Sequence, residues 1–274
     1  MRFTDPEWLL AEPQAPTGTG VLLLAGSSGR VAAGRAELLA RHGATVLAIR
    51  WFGGPGQQPG PYEVPLELFV DALDQLEPEC ERLALVGTSF GAEAALLVAA
   101  LDGRVTATVA FAPSAYVWPG YGADRWTSHW TWQGSALPFV PLVEDWTPDS
   151  DPPAYRGWYD ESLAAAGPEV VDAAAIPVER IGGRVVLVAG GDDQVWPAVD
   201  FAAAIADRRQ RHLLATEVVV DPGAGHRTLL PGEAPVVGGQ RMQRGGADGA
   251  DRALGARAWP VIASALALRA SDGG

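Results

Sequence analysis

Along the chain, short aliphatic runs alternate with stretches in which apolar residues recur every three to four positions. Residues 21–25 are aliphatic and end in Gly26-Ser27-Ser28-Gly29, which predicts a buried strand entering a tight loop. Residues 32–42 place Leu38 and Leu39 on one face and stop at Gly43, the pattern of a helix closed by a left-handed cap. A second aliphatic strand is predicted over 44–49. After a glycine-rich turn from Trp51 to Gly56, Leu66, Leu68, Phe69, Ala72, Leu73 and Leu76 mark an amphipathic helix. Strands follow over 83–86 and 105–111, with a helix over 90–101 between them. The alternation breaks over 112–183, then resumes as a strand at 185–190, a helix near 199–208, a strand at 216–220 and a closing helix over 250–270.

Buried strands that alternate with helices predict an α/β fold with a mostly parallel, doubly wound sheet. A chain of 274 residues fits one such domain, 1–274. Six of its ten Trp residues (Trp118, Trp126, Trp130, Trp132, Trp146 and Trp158) fall within 112–183, so this stretch reads as a Trp-rich lid inserted over the sheet. Trp126, Trp130, Trp132 and Trp158 are expected to wall a substrate cleft; the alternative is that they only staple an irregular loop to the sheet. The stretch 238–251 is polar and glycine-rich, and reads as mobile and non-catalytic.

Composition narrows the chemistry. The chain is 48% hydrophobic and 19% charged, enough apolar side chain for a large core. Acidic residues outnumber basic ones 33 to 20, a net charge of −13, which disfavours nucleic acid and anionic membrane as partners. All basic residues are Arg, so Schiff-base, pyridoxal-phosphate and P-loop lysine chemistry is excluded. Cys80 is the single cysteine and there are four His; neither an internal disulfide nor a structural zinc set is expected, and no metal or other cofactor is called for. Glu79 and Glu81 flank Cys80 and disfavour its thiolate, which makes it structural. The acidic start, with Asp5, Glu7 and Glu12, lacks the apolar core of a signal peptide, and no apolar run approaches membrane-helix length. A soluble, cytoplasmic protein is expected, of unknown oligomeric state.

Gly87-Thr88-Ser89-Phe90-Gly91 matches G-x-S-x-G. With 33 glycines in the chain the match alone is weak, but a strand ends just before it and a helix starts just after it. That is the strand-turn-helix setting in which a serine is held above a sheet edge as a nucleophile; the competing reading is an ordinary turn with Ser89 as helix N-cap. A serine needs a general base. Among His42, His129, His212 and His226, only His226 follows a strand and turn late enough to reach across to Ser89. The third member is assigned to Asp193, which leaves the strand at 185–190, with Asp192 its rival and Asp221 more remote; the order Ser, Asp, His suits this architecture. The oxyanion hole is expected from the amides of Phe90 and Ser27, with Ser28 as fallback. Glu93, one turn after Ser89, is read as a hydrogen-bond partner behind the site, or else as half of a buried salt bridge.

The segments Gly87-Thr88-Ser89-Phe90-Gly91-Ala92-Glu93, Pro113-Ser114, Ile176-Pro177-Val178-Glu179-Arg180-Ile181, Gly191-Asp192-Asp193-Gln194-Val195-Trp196-Pro197 and Gly223-Ala224-Gly225-His226 resemble the C-terminal domain of the acyl-CoA thioesterase and bile acid-CoA:amino acid N-acyltransferase family. The resemblance implies an α/β-hydrolase domain whose nucleophile, acid and base are Ser89, Asp193 and His226. It also implies acyl transfer from a thioester to water or an amine, and a serine in place of cysteine turns this toward hydrolysis. The β-sandwich module that animal members carry ahead of this domain has no counterpart in the short stretch before residue 21. Coenzyme A would call for an arginine cluster, for which Arg104, Arg125 or Arg156 are the candidates, and none is legible as a cluster in the sequence. The expected partner is a small-molecule acyl thioester or ester, the latter in bacterial natural-product metabolism. Elimination of an acyloxy group by the same triad, and ligand binding without turnover, stay open.

Overall fold

The computed structural model describes residues 8–236 and 239–269. Asp5 and Glu7 of the acidic start, Gly238 of the glycine-rich stretch and Ala270 at the end of the closing helix lie outside the described residues.

Seven strands form the central sheet: β1 (Trp8–Ala11), β2 (Thr19–Leu24), β3 (Thr45–Ile49), β5 (Arg82–Thr88), β6 (Val105–Phe111), β11 (Arg184–Gly190) and β12 (Glu217–Asp221). Their order is β1-β3-β2-β5-β6-β11-β12. All neighbours run parallel except β1, which pairs antiparallel with β3 at the edge. The crossovers are α1 (Ala33–Arg41), α2 (Glu67–Leu76), α3 (Phe90–Leu101) and α6 (Ala198–Arg211), and α7 (Asp248–Ala265) closes the chain. β1 was not expected: with four residues alternating between exposed and half-buried, it has too short a period-two pattern to stand out from a loop.

Strand parity sorts the core. Leu22, Leu24, Leu47, Ile49, Leu83 and Leu85 face the layer of α2, α3 and α6. Val21, Leu23, Val46, Ala48, Ala84 and Val86 face α1 and α7. Both faces are therefore dry, and this is why these strands read as continuous aliphatic runs and not as alternating ones.

The Trp-rich stretch holds much more regular structure than its sequence suggests. β7 (Pro119–Gly122) and β8 (Arg125–Ser128) form a hairpin, while β9 (Trp130–Trp132) lies between β10 (Ser135–Ala136) and β4 (Val64–Pro65). Two helices, α4 (Arg156–Ala165) and α5 (Pro168–Ala174), lead back to the sheet. Trp118 and Trp130 are fully buried. The Trp130 indole packs 5.1 Å from Trp51 and 5.9 Å from Phe69, so it belongs to the core beside α2. No helix among the described residues is long and apolar enough to cross a membrane.

Candidate active site

Ser89 stands between β5 and α3 with φ 57° and ψ −124°, a left-handed conformation that is strained for a residue with a Cβ. Two glycines make the turn possible. A Cβ on Gly91 would lie 2.5 Å from the carbonyl oxygens of Leu24 and Ala25, and one on Gly87 would fall inside the Gly91 carbonyl. The Ser89 N–H donates to the Phe111 carbonyl at 2.9 Å, and the Ser89 carbonyl accepts from the amides of Ala92 and Glu93 at 2.8 and 3.1 Å. The turn is thus tied to β6 on one side and to the first turn of α3 on the other.

Asp193 and His226 meet at the C-terminal ends of β11 and β12. His226 Nδ1 is 2.8 Å from Asp193 Oδ2. Asp193 is completely buried, and its other oxygen accepts the amides of Val195 (2.8 Å) and Trp196 (3.3 Å). Those two donors set the orientation of the carboxylate. An imidazole that donates Nδ1–H to this carboxylate has Nε2 left to act as an acceptor. The rival acid is placed otherwise: Asp192 is exposed and accepts from the Gly246 amide and from Gln194 Nε2, each at 2.8 Å. Asp221 accepts from Arg257 at 2.9 Å.

Ser89 and His226 line one cavity of about 680 Å³, together with Ser27, Ser28, Thr88, Phe111 and Val195. The Phe90 amide is the first of α3 and has no intrahelical acceptor. The cavity brings Ser27 to the serine's side, although Ser28 lines it equally. None of the four indoles expected above Ser89 is among the residues lining this cavity. Trp130 lies in the core. Trp132 is half-buried against it. Trp126 is exposed and sits edge-on to Tyr121 and Trp158, and Trp158 stacks on Trp146 while its indole N–H donates to the Val143 carbonyl at 2.7 Å. Indole surface that packs on other indoles is satisfied within the inserted layer and leaves the cleft to other residues.

Glu93 explains part of this arrangement. It is fully buried, and one oxygen accepts both the Trp130 indole N–H (2.7 Å) and the Trp118 amide (3.1 Å). His129 stands 3.6 Å away, with its ring on Phe90 at 4.1 Å. The carboxylate thereby ties the Trp-rich layer to the helix that follows Ser89. Burial, with Glu93 as a smaller contribution, also raises the Tyr159 phenol above its ordinary pKa.

Sequence reasoning missed Arg244. Its segment read as non-catalytic, yet the Arg244 carbonyl accepts the His226 N–H at 2.8 Å and so helps to hold His226 in place. No periodicity or motif marks such a backbone contact.

The family described as BAAT / acyl-CoA thioester hydrolase C terminal matches residues 64–241, a span that contains Ser89, Asp193 and His226. The chain belongs to this family. Mouse acyl-coenzyme A amino acid N-acyltransferase 2 is 29% identical over 225 residues, covering 79% of this chain and 50% of that protein. Mouse peroxisomal succinyl-coenzyme A thioesterase is 27% identical over 223 residues, covering 76% and 48%. The chain thus spans about half the length of these relatives. Among solved structures, the acylaminoacyl peptidase of Pyrococcus horikoshii superposes with a TM-score of 0.54 at 11% identity, covering 97% of this chain and 40% of that one. Est1E from Butyrivibrio proteoclasticus gives 0.50 at 13%, covering 82% and 88%. At such identities the likeness shows the fold alone, which is that of an α/β-hydrolase.

Proposed function

We propose that the protein is a serine hydrolase that cleaves an acyl ester or thioester through an acyl-enzyme, with Ser89 as nucleophile, His226 as general base and Asp193 as its orienting acid. The observation that carries the reading is the 2.8 Å contact between His226 Nδ1 and the buried Asp193 carboxylate, in a loop that shares its cavity with a serine on a strained strand-to-helix turn. The thioesterase names among the relatives support an acyl thioester as the first substrate class to try.

In this mechanism His226 Nε2 takes the Ser89 hydroxyl proton as Oγ attacks the acyl carbonyl, and Asp193 stabilises the imidazolium that forms. The amides of Phe90 and Ser27 receive the developing oxyanion. Collapse expels the thiolate or alkoxide, which leaves with the proton returned by His226. Water, deprotonated by the same imidazole, then releases the acid.

Hydrolysis of butyryl-CoA and p-nitrophenyl butyrate in ¹⁸O-water tests the reading. An acyl-enzyme route places the label in the carboxylic acid product and leaves a butyryl adduct on Ser89 in the quenched enzyme, which direct attack by water would not. Unlabelled acid together with styrene from 2-phenylethyl butyrate, an ester whose alkyl group can lose a β-proton, would mean elimination, and absent turnover with no fluorophosphonate labelling of Ser89 would mean ligand binding alone.

A further inference from the structure

The cavity that carries Ser89 is lined by four arginines, Arg30, Arg35, Arg227 and Arg244, against one carboxylate, Glu233. Arg35 and Glu233 neutralise each other through two hydrogen bonds of 2.6 and 2.9 Å. The other three guanidinium groups converge. A Cβ built on Gly239 would stand 3.2 Å from Nη2 of Arg227, 3.3 Å from that of Arg244 and 3.5 Å from that of Arg30, so three cationic nitrogens share one small volume.

Such a gathering is unfavourable in itself, since like charges repel most strongly where water is partly excluded. Burial first, then Arg244 and Arg30, lowers the proton affinity of Arg227, and burial and Arg30 do the same to Arg244. The three arginines that seemed suited to coenzyme A are placed elsewhere. Arg104 pairs with Asp74, Glu77 and Asp102, Arg125 with Glu63, and Arg156 with Asp160 and Asp200. None of them lines the cavity. Within the converging trio, backbone carbonyls hold two of the forks in place: Val236 accepts from Arg227 Nη1 at 2.8 Å and Gln240 from Arg244 Nη2 at 2.7 Å.

We infer that Arg30, Arg227 and Arg244 form a subsite for an anionic group, a carboxylate or a phosphate, carried by the substrate. The inference rests on the hydrolase reading above for the identity of the reacting bond. Planar forks converging from three chain segments suit an acceptor with several oxygens, which would receive charge-assisted hydrogen bonds from each. The subsite also shares its scaffold with the base: Arg227 follows His226 directly, and the Arg244 carbonyl accepts the His226 N–H. An anion bound there would sit at a set offset from the nucleophile and select acyl or leaving groups that carry charge at a matching distance.

Two substrate pairs separate the sources of the charge. The p-nitrophenyl monoester of glutaric acid against p-nitrophenyl valerate puts a carboxylate on the acyl side; butyryl-CoA against S-butyryl-pantetheine puts phosphates on the leaving-group side. In Arg30→Gln, Arg227→Gln and Arg244→Gln, the charged-to-neutral ratio of kcat/KM should fall by on the order of ten- to a hundredfold for one pair, and that pair names the source. Arg227→Lys, which retains the charge, should lose less. Ratios that stay within about twofold of wild type for both pairs in all three Gln variants would overturn the subsite. Calorimetry of pyrophosphate binding to Ser89→Ala reads the same site without turnover, and binding should weaken when any of the three arginines is also changed to Gln. Retained pyrophosphate binding with no hydrolysis in any protein would fail the hydrolase reading alone. Hydrolysis with no charge preference and no pyrophosphate binding would fail the subsite alone.

Discussion

Replacing Asp193 by Asn tests the central contact with almost no change of volume. In the native protein one carboxylate oxygen accepts the amides of Val195 and Trp196, and the other faces His226 Nδ1 at 2.8 Å. Two backbone donors outweigh one, so the Asn carbonyl oxygen turns toward Val195 and Trp196 and its NH₂ toward the imidazole. Nδ1 must then accept, and the ring proton moves to Nε2, where it can no longer take a proton from Ser89. The expected cost is on the order of 10⁴ in kcat, which corresponds to about 5 kcal/mol of transition-state stabilisation. Losing the ionised acceptor should lower stability by only about 1–3 kcal/mol, so the variant should remain folded at room temperature. Steady-state hydrolysis of p-nitrophenyl butyrate gives kcat, near-ultraviolet circular dichroism verifies packing, and the rate of fluorophosphonate labelling reports Ser89 reactivity. Asp192→Asn is the control: the residue is exposed, and its substitution should change kcat by less than about tenfold. A folded Asp193→Asn protein with kcat within tenfold of wild type, or Asp192→Asn as the more damaging change, would refute the assignment.

Ser89→Ala should reduce turnover by on the order of 10⁶ with a melting temperature close to wild type, because the hydroxyl contributes chemistry and little packing; activity above about a hundredth of wild type would contradict it. Gly91→Ala should destabilise by about 1–3 kcal/mol in urea unfolding, since the added methyl meets the Leu24 and Ala25 carbonyl oxygens at 2.5 Å, and the surviving folded fraction should hydrolyse poorly because the turn at Ser89 must shift. Trp130→Ala should cost about 3–5 kcal/mol through its lost packing on Trp51 and Phe69 and its lost bond to Glu93. Trp126→Ala, at an exposed site, should cost much less, and equal losses at the two positions would show that burial does not separate them.

Much of the architecture was legible because it depends on local pattern. A parallel sheet dry on both faces needs uninterrupted aliphatic runs, and those runs mark β2, β3, β5, β6 and β11, while β12 is an aliphatic edge strand that leaves Val218 exposed. The strained turn was legible for a similar reason: only glycines on either side of Ser89 let β5 and α3 approach so closely, and glycines are visible in sequence. What sequence could not supply is everything that depends on depth or on meetings between distant segments. An indole in a loop carries the same letter whether it walls a cleft or fills a core, and only the tertiary structure sends Trp130 to Glu93 and leaves Trp126 at the surface. Asp192 and Asp193 are adjacent, chemically alike and both at a strand end; the pleat of the loop, and not the residue type, turns one toward His226 and the other toward Gly246. Arg30, Arg227 and Arg244 look like three unrelated surface charges in a one-dimensional listing, and they become a single concentration of positive charge because the loops after β2 and β12 and the segment before α7 close around the same point.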